Sequence, residues 1–243
     1  MYEASKGCTM KDNIILKSKN VTPIKYDSMN VSHETVTNEL ALLSLGDFEL
    51  LKINVNIKNF RKEIEFLKND WVDYQPKKDM SNNRRGMALT NLPGKTHKDN
   101  PSLKQANYAE NRSLCELEFN QYTAAYEMLP SLHHVFEMFE PVGRSVLIKL
   151  GTGGYFPAHR DQCYMPRASF RIAIFLQDCG SDQFDWFHEN KKMTIEQGTA
   201  YYINTKKVHK TMSWAASSTH LIMNIPFNSN NIQKLIANLK YGH

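Results

Sequence analysis

In the stretch YFPAHRDQ a histidine and an aspartate, His159 and Asp161, stand two residues apart, behind the glycine-rich LGTGG and ahead of a β-rich segment. On a strand, residues i and i+2 share a face, so an imidazole nitrogen and a carboxylate can converge on one point. That donor pair suits a divalent metal of intermediate hardness, and a second histidine would complete a three-donor set that leaves positions open on the ion. His209, in TKKVHKTMSW, fits the third place: it follows the Gly198 turn and the strand TAYYIN and opens a later strand. The pair by itself fits an exposed polar strand equally well, so the elements around it have to decide.

After Glu140 the hydrophobic period is two. SVLIKL, YFPAH, SFRIAIFLQ, FDWFH, KMTI, TAYYIN, HKTMSW and THLIMNIPF read as strands, with Gly151, Gly153, Gly154, Gly180 and Gly198 as turn residues between them. Short strands at this spacing, preceded by helices, predict a β-sandwich or barrel with helices packed outside it. Upstream, FELLKINVNI alternates as a strand at Leu51, Ile53, Val55 and Ile57. KNFRKEIEFLKNDW then puts Phe60, Ile64, Leu67 and Trp71 on one helical face. Residues 76–112 are punctuated by Pro76, Gly86, Pro93, Gly94 and Pro101 and read as mostly loop; its NNRRG stretch is either solvated or a cationic loop facing substrate. Ser113–Phe139 reads as helical with a break at Pro130, and NIQKLIANLKY as a closing helix. The polar residues 1–45 read as an extension, and 46–243 as the domain.

Hydrophobic residues make up 41% of the 243-residue chain and charged ones 23%, a balance that supports a buried core. The net charge of +5 is too small to argue for nucleic acid. Cys8, Cys115, Cys163 and Cys179 are scattered without a C-x-x-C, so neither a zinc site nor a disulfide framework is indicated. No run is long and apolar enough for a membrane span, and MYEASKGCTMKDN lacks the apolar core of a signal peptide. A cytoplasmic setting is the expectation.

The runs GRSVLIKLGTGGYFPAHRDQ, RIAIFLQ and ENKKMTIEQGTAYYINTKKVHKTMSW resemble the core of the Fe(II)/2-oxoglutarate-dependent oxygenases, most closely the aspartyl/asparaginyl β-hydroxylase-like branch. The resemblance covers roughly residues 47–227. It implies a mainly β fold with flanking helices, built on a double-stranded β-helix (jelly-roll, cupin-like) core. It also implies that His159, Asp161 and His209 hold iron. Fe(II), 2-oxoglutarate and O2 are then the expected cofactors, and the expected reaction is hydroxylation of an amino-acid side chain, in a peptide or protein or in a free amino acid.

In that family an arginine on the last core strand usually holds the far carboxylate of 2-oxoglutarate. Here the segment reads SWAASSTHLIMNI, with no Arg or Lys until Lys234. Arg171, on the strand after the His-x-Asp pair, is the expected substitute, with Ser218 and His220 adding hydrogen bonds from the opposite wall; Arg144 and Lys149 are weaker candidates. The missing arginine is also what favours the other reading, a metal-binding β-barrel without oxygenase activity. Trp186, Trp214 and the tyrosines read as core or rim aromatics, and His133, His134 and His188 as packing or surface histidines.

Overall fold

Alternation decides how this chain folds, because most of its long strands are buried on both faces. The structure, a computed structural model, describes residues 33–74, 83–161 and 169–240, all of which belong to one compact unit spanning Ser32–His243. The strands are β1 (Phe48–Asn54), β2 (Val72–Asp73), β3 (Arg84–Ala88), β4 (Thr90–Asn91), β5 (Gln121–Tyr122), β6 (Ser145–Leu150) and β7 (Tyr155–His159). They continue with β8 (Ser169–Gln177), β9 (Phe184–His188), β10 (Lys191–Lys192), β11 (Thr199–Ile203), β12 (His209–Ser213) and β13 (Ser218–Pro226). The helices are α1 (His33–Ser44), α2 (Ile57–Glu65), α3 (Leu103–Glu110), α4 (Ala124–Glu127), α5 (His133–Met138) and α6 (Ser229–Ala237).

The larger sheet has the order β1-β11-β8-β13-β6-β3-β2 and the smaller β10-β9-β12-β7. From β6 onward the chain crosses repeatedly between them: β6, β8, β11 and β13 belong to the larger sheet, β7, β9, β10 and β12 to the smaller. This winding is a double-stranded β-helix, the jelly-roll architecture.

Successive side chains of the larger sheet enter two different cores. On β8, Ile172, Ile174 and Leu176 join the cluster beneath the helices, whereas Ala173 and Phe175 join the cluster between the sheets. β6 divides in the same way, with Leu147 outward and Val146, Ile148 and Leu150 inward. Arg171 has the parity of Ala173, so it too faces the space between the sheets. Each buried aliphatic or aromatic side chain of this kind contributes about 1.5–3 kcal/mol, and a one-residue slip would exchange the two sets.

The outer face of the larger sheet is covered by helices. α2 opens with Asn56, whose side chain accepts from the Asn59 amide at 3.1 Å, and it buries Phe60 and Ile64. α6 is capped the same way by Asn228 on the Asn231 amide at 2.9 Å. Gly198 (φ +90°) turns the chain into β11 where an added Cβ would lie 3.0 Å from the Val55 carbonyl oxygen, so the turn requires glycine.

Several expectations need correction. α1 falls inside the segment read as a polar extension, yet it sends Leu42 into the core and joins α6 through Asn38 and the Ser229 hydroxyl at 3.3 Å. The rest of that extension, residues 1–32, lies outside the described residues, as do 75–82 of the loop region. α3 stands where loop was expected. The helical region over Ser113–Phe139 is instead short pieces, a 3-10 turn at Glu116–Glu118, β5, α4, a second 3-10 turn at Pro130–Leu132 and α5. The strand read at KMTI is only the ladder Lys191–Lys192. Within NNRRG, Arg84 begins β3, pairs with Leu150 and is 7% exposed, while Asn83 and Arg85 are exposed.

Candidate metal centre and its cavity

The end of β7 and the start of β12 are antiparallel neighbours, and their register sets His159 opposite His209. The two imidazole rings lie 4.3 Å apart. Asp161 follows β7 and is held by its amide donating to the Thr205 carbonyl at 3.0 Å. Its carboxylate lies 3.5 Å from His159 Nε2 and 3.8 Å from His209 Nε2. One donor atom from each of the three residues fits within 4.8 Å of the others.

The outer nitrogens orient the rings. His159 Nδ1 lies 2.7 Å from the Pro157 carbonyl and His209 Nδ1 3.0 Å from that of Lys207, so each Nδ1 carries a proton and each Nε2 points toward Asp161, free to act as a donor atom to a metal when unprotonated. Two Nε2 atoms and one carboxylate on a shared point are the donor chemistry of a divalent first-row metal, and these residues fit such an ion.

Burial alone would raise the Asp161 carboxyl, but the Arg171 guanidinium and the two histidines hold it well below the usual carboxylate range. Burial pulls His209 below its ordinary value, toward the neutral form. Burial also acts to lower His159, but Asp161, through its hydrogen bond and charge, and the Pro157 carbonyl together outweigh it, so His159 is raised.

Behind Asp161 runs a chain of charges. Arg171 Nη1 donates to Asp161 Oδ2, Nη2 to Glu116 Oε1 at 3.1 Å and Nε to Asn224 Oδ1 at 3.1 Å. Glu116, 3% exposed, also accepts from Arg144 Nε at 2.5 Å, and Arg144 continues to the Pro101 carbonyl at 2.8 Å. The guanidinium of Arg171 is therefore engaged on every nitrogen, and its geometry is that of a holder of Asp161. Lys149 lies over the Trp71 ring, 4.2 Å from its centroid, and is not among the cavity-lining residues.

The cluster borders a cavity of about 740 Å³ between the sheets, within the range of small-molecule sites. Arg171 and His220 line it; Ser218 is not among the lining residues. The Ser218 hydroxyl is buried against the Asp178 carbonyl at 2.6 Å and the Ser213 hydroxyl at 2.9 Å. Trp186 is 4% exposed and stacks on His209 at 5.7 Å with an interplanar angle of 6°. Trp214, by contrast, is 51% exposed.

Arg84, Glu116 and Thr211 also line the cavity. Sequence reading reached Arg84 only as part of the NNRRG charge run and did not single out the other two; of these, Thr211 carried a local signal, since it stands two residues after His209 on one strand. His188 lies opposite His209 in the ladder, fully buried.

Burial holds His220 down to about 3 and His188 to about 4. An unfolded histidine titrates near 6.5, so below that pH the unfolded chain takes protons these two refuse. Each then removes about 1.4 kcal/mol of stability per pH unit as pH falls from about 6.5 toward its folded value. His159 works in the opposite direction. Urea midpoints at pH 7.5 and pH 5.0 for wild type and His220→Phe therefore differ predictably: the variant loses less stability on acidification. Equal losses would contradict the assignment.

No protein-family model matches the chain, and no curated protein matches it. Solved structures to which the chain is similar include a Pseudomonas putida prolyl-4-hydroxylase, 10% identical, with 79% of this chain and 99% of that one covered at a TM-score of 0.42. A prolyl hydroxylase from Trichoplax adhaerens, in complex with a hypoxia inducible factor oxygen degradation domain peptide fragment, is 11% identical, with 85% and 98% covered at a TM-score of 0.43. A 2OG-Fe(II) oxygenase family oxidoreductase from Burkholderia pseudomallei is 12% identical, with 81% and 93% covered at 0.42. Among the described residues no helix is long and apolar enough to cross a membrane.

Proposed function

We propose that the chain is an Fe(II)- and 2-oxoglutarate-dependent dioxygenase that hydroxylates an amino-acid side chain, in a peptide or protein or in a free amino acid. The observation that carries this reading is the convergence of His159 Nε2, His209 Nε2 and the Asp161 carboxylate at the wall of a cavity of about 740 Å³. When bound, iron with 2-oxoglutarate and O2 supplies insertion of one oxygen atom into a C–H bond, the other oxygen leaving in succinate as CO2 is released.

The protein's part is placement. His159 and His209 present their Nε2 lone pairs because backbone carbonyls hold their Nδ1 protons. Arg171 grips one oxygen of Asp161 and leaves the other for the metal. Trp186 closes the wall behind His209 and keeps water from that side. Lys104 and Arg160, also lining the cavity, add positive charge that suits an acidic substrate.

The lack of any Arg or Lys on β13 supports the alternative, a metal-binding β-barrel without oxygenase activity. Incubation with Fe(II), O2 and 2-oxoglutarate separates the two. Succinate forms with the wild type and not with Asp161→Ala under the dioxygenase reading. No succinate from iron-loaded wild type, with peptide and amino-acid pools added, contradicts it.

A further inference from the structure

A dicarboxylic co-substrate bound at the metal by its keto-acid end has a second carboxylate to be met. A five-carbon chain of C–C bonds near 1.5 Å spans about 5 Å in zigzag. The residue two positions beyond a strand ligand, on the same face, lies about 6.5–7 Å away. From His209 that residue is Thr211.

Thr211 pairs with Trp186 on one side and Phe156 on the other. Arg84 reaches the same layer from β3, outside the eight-strand winding, with its guanidinium carbon 4.5 Å from the centroid of the Phe156 ring. All four side chains line the cavity, and His220 borders them with its ring 6.1 Å from that of Trp186.

Two features mark this layer as built for a ligand. Thr211 Oγ1, Trp186 Nε1 and His220 Nδ1 are buried without a hydrogen-bond partner, on side chains 3%, 4% and 1% exposed. Buried polar atoms without partners are rare, and three of them bordering one region of a cavity mark a place for a polar group. Second, Arg84 is 7% exposed, and burial pulls its pKa below the ordinary arginine value against the influence of Tyr74 and Tyr155. An anion in front of a desolvated guanidinium offsets that cost through charge-assisted, bidentate hydrogen bonds.

We propose that Arg84, Thr211 and Trp186 form the cradle for the far carboxylate of 2-oxoglutarate, so that β3, outside the eight-strand winding, supplies the anchor that β13 lacks. This rests on the function proposed above. Arg84 takes the carboxylate as a fork, while the Thr211 hydroxyl and Trp186 indole N–H donate to its remaining lone pairs. Arg171 stays with Asp161.

The test is anaerobic titration of the Fe(II)-loaded protein with 2-oxoglutarate and with 2-oxopentanoate, which keeps the chelating end and lacks the far carboxylate. Binding is read from the visible spectrum. Wild type is expected to prefer 2-oxoglutarate by at least about 30-fold, the worth of one or more hydrogen bonds to a charged group. Arg84→Gln brings the two acids to within about 3-fold by weakening 2-oxoglutarate alone, and Thr211→Val weakens it by about 5-fold. Arg84→Lys, which keeps the charge without the fork, falls between and carries the test should the glutamine variant not fold. An undiminished preference in Arg84→Gln or Arg84→Lys, with chelation intact, overturns the cradle and leaves the dioxygenase reading standing. Failure of either acid to perturb the wild-type spectrum overturns both.

Discussion

His209→Ala protein binds Fe(II) at least about 100-fold more weakly than wild type and forms no succinate, because removing a direct donor exceeds the 10–100-fold loss seen when only an outer partner is removed. The substitution also empties a buried space beside Trp186, so some stability is lost by packing alone. His188→Ala separates the two effects. His188 is fully buried and sits opposite His209 in the ladder, but it is not in the donor cluster. It loses stability, by about 2 kcal/mol or more, and keeps its metal. Anaerobic equilibrium dialysis with Fe(II), beside urea midpoints, reads both quantities. Equal metal loss in the two variants would remove His209 from the cluster.

The second large effect belongs to Glu116. Its carboxylate is the shared counter-charge of Arg144 and Arg171, all inside the protein. Glu116→Gln leaves the buried guanidinium of Arg144 and the part-buried one of Arg171 facing a neutral amide, and breaking a buried ion pair from one side, as at Arg144, costs about 3–5 kcal/mol. Arg171 then loses one of the contacts that orient it, and Asp161 is held less firmly, so Fe(II) affinity falls by about 10-fold. Adding Arg144→Met restores part of the stability, because the excess charge goes, but not the metal affinity, because Arg171 remains unsupported. A urea series on the single and double variants gives the coupling directly. A single variant within about 1 kcal/mol of wild type would show that the network does not hold this region together.

What was legible in the sequence was local. Alternation such as that of SFRIAIFLQ survives folding because its two residue sets enter two separate cores, and the strands of the winding other than β10 stand where their periodicity puts them. His159 ends β7 with Asp161 two residues on, and His209 opens the neighbouring strand, so short-range spacing sufficed to nominate the cluster. Arg84 and Glu116 could not be found that way. They reach the cavity from β3 and a 3-10 turn whose positions follow from long-range packing, and nothing in NNRRG or CELE distinguishes a buried charge from a solvated one. α3 did carry a signal: Ser102 and Gln105 form the S-x-x-Q pattern of a capped helix start, and the Ser102 side chain accepts from the Gln105 amide at 3.2 Å. The Pro and Gly residues around it outweighed that pattern. Arg171 was read for its charge and its strand; its three partners, Asp161, Glu116 and Asn224, come from separate parts of the chain, which no local pattern brings together.

The most direct measurement is anaerobic titration of the Fe(II)-loaded protein with 2-oxoglutarate, followed in the visible region. The account predicts a weak, saturable charge-transfer band from keto-acid chelation, absent in His159→Ala. Iron demonstrably bound to the wild type, with no band at saturating 2-oxoglutarate, would contradict it and leave a metal-binding β-barrel of another function.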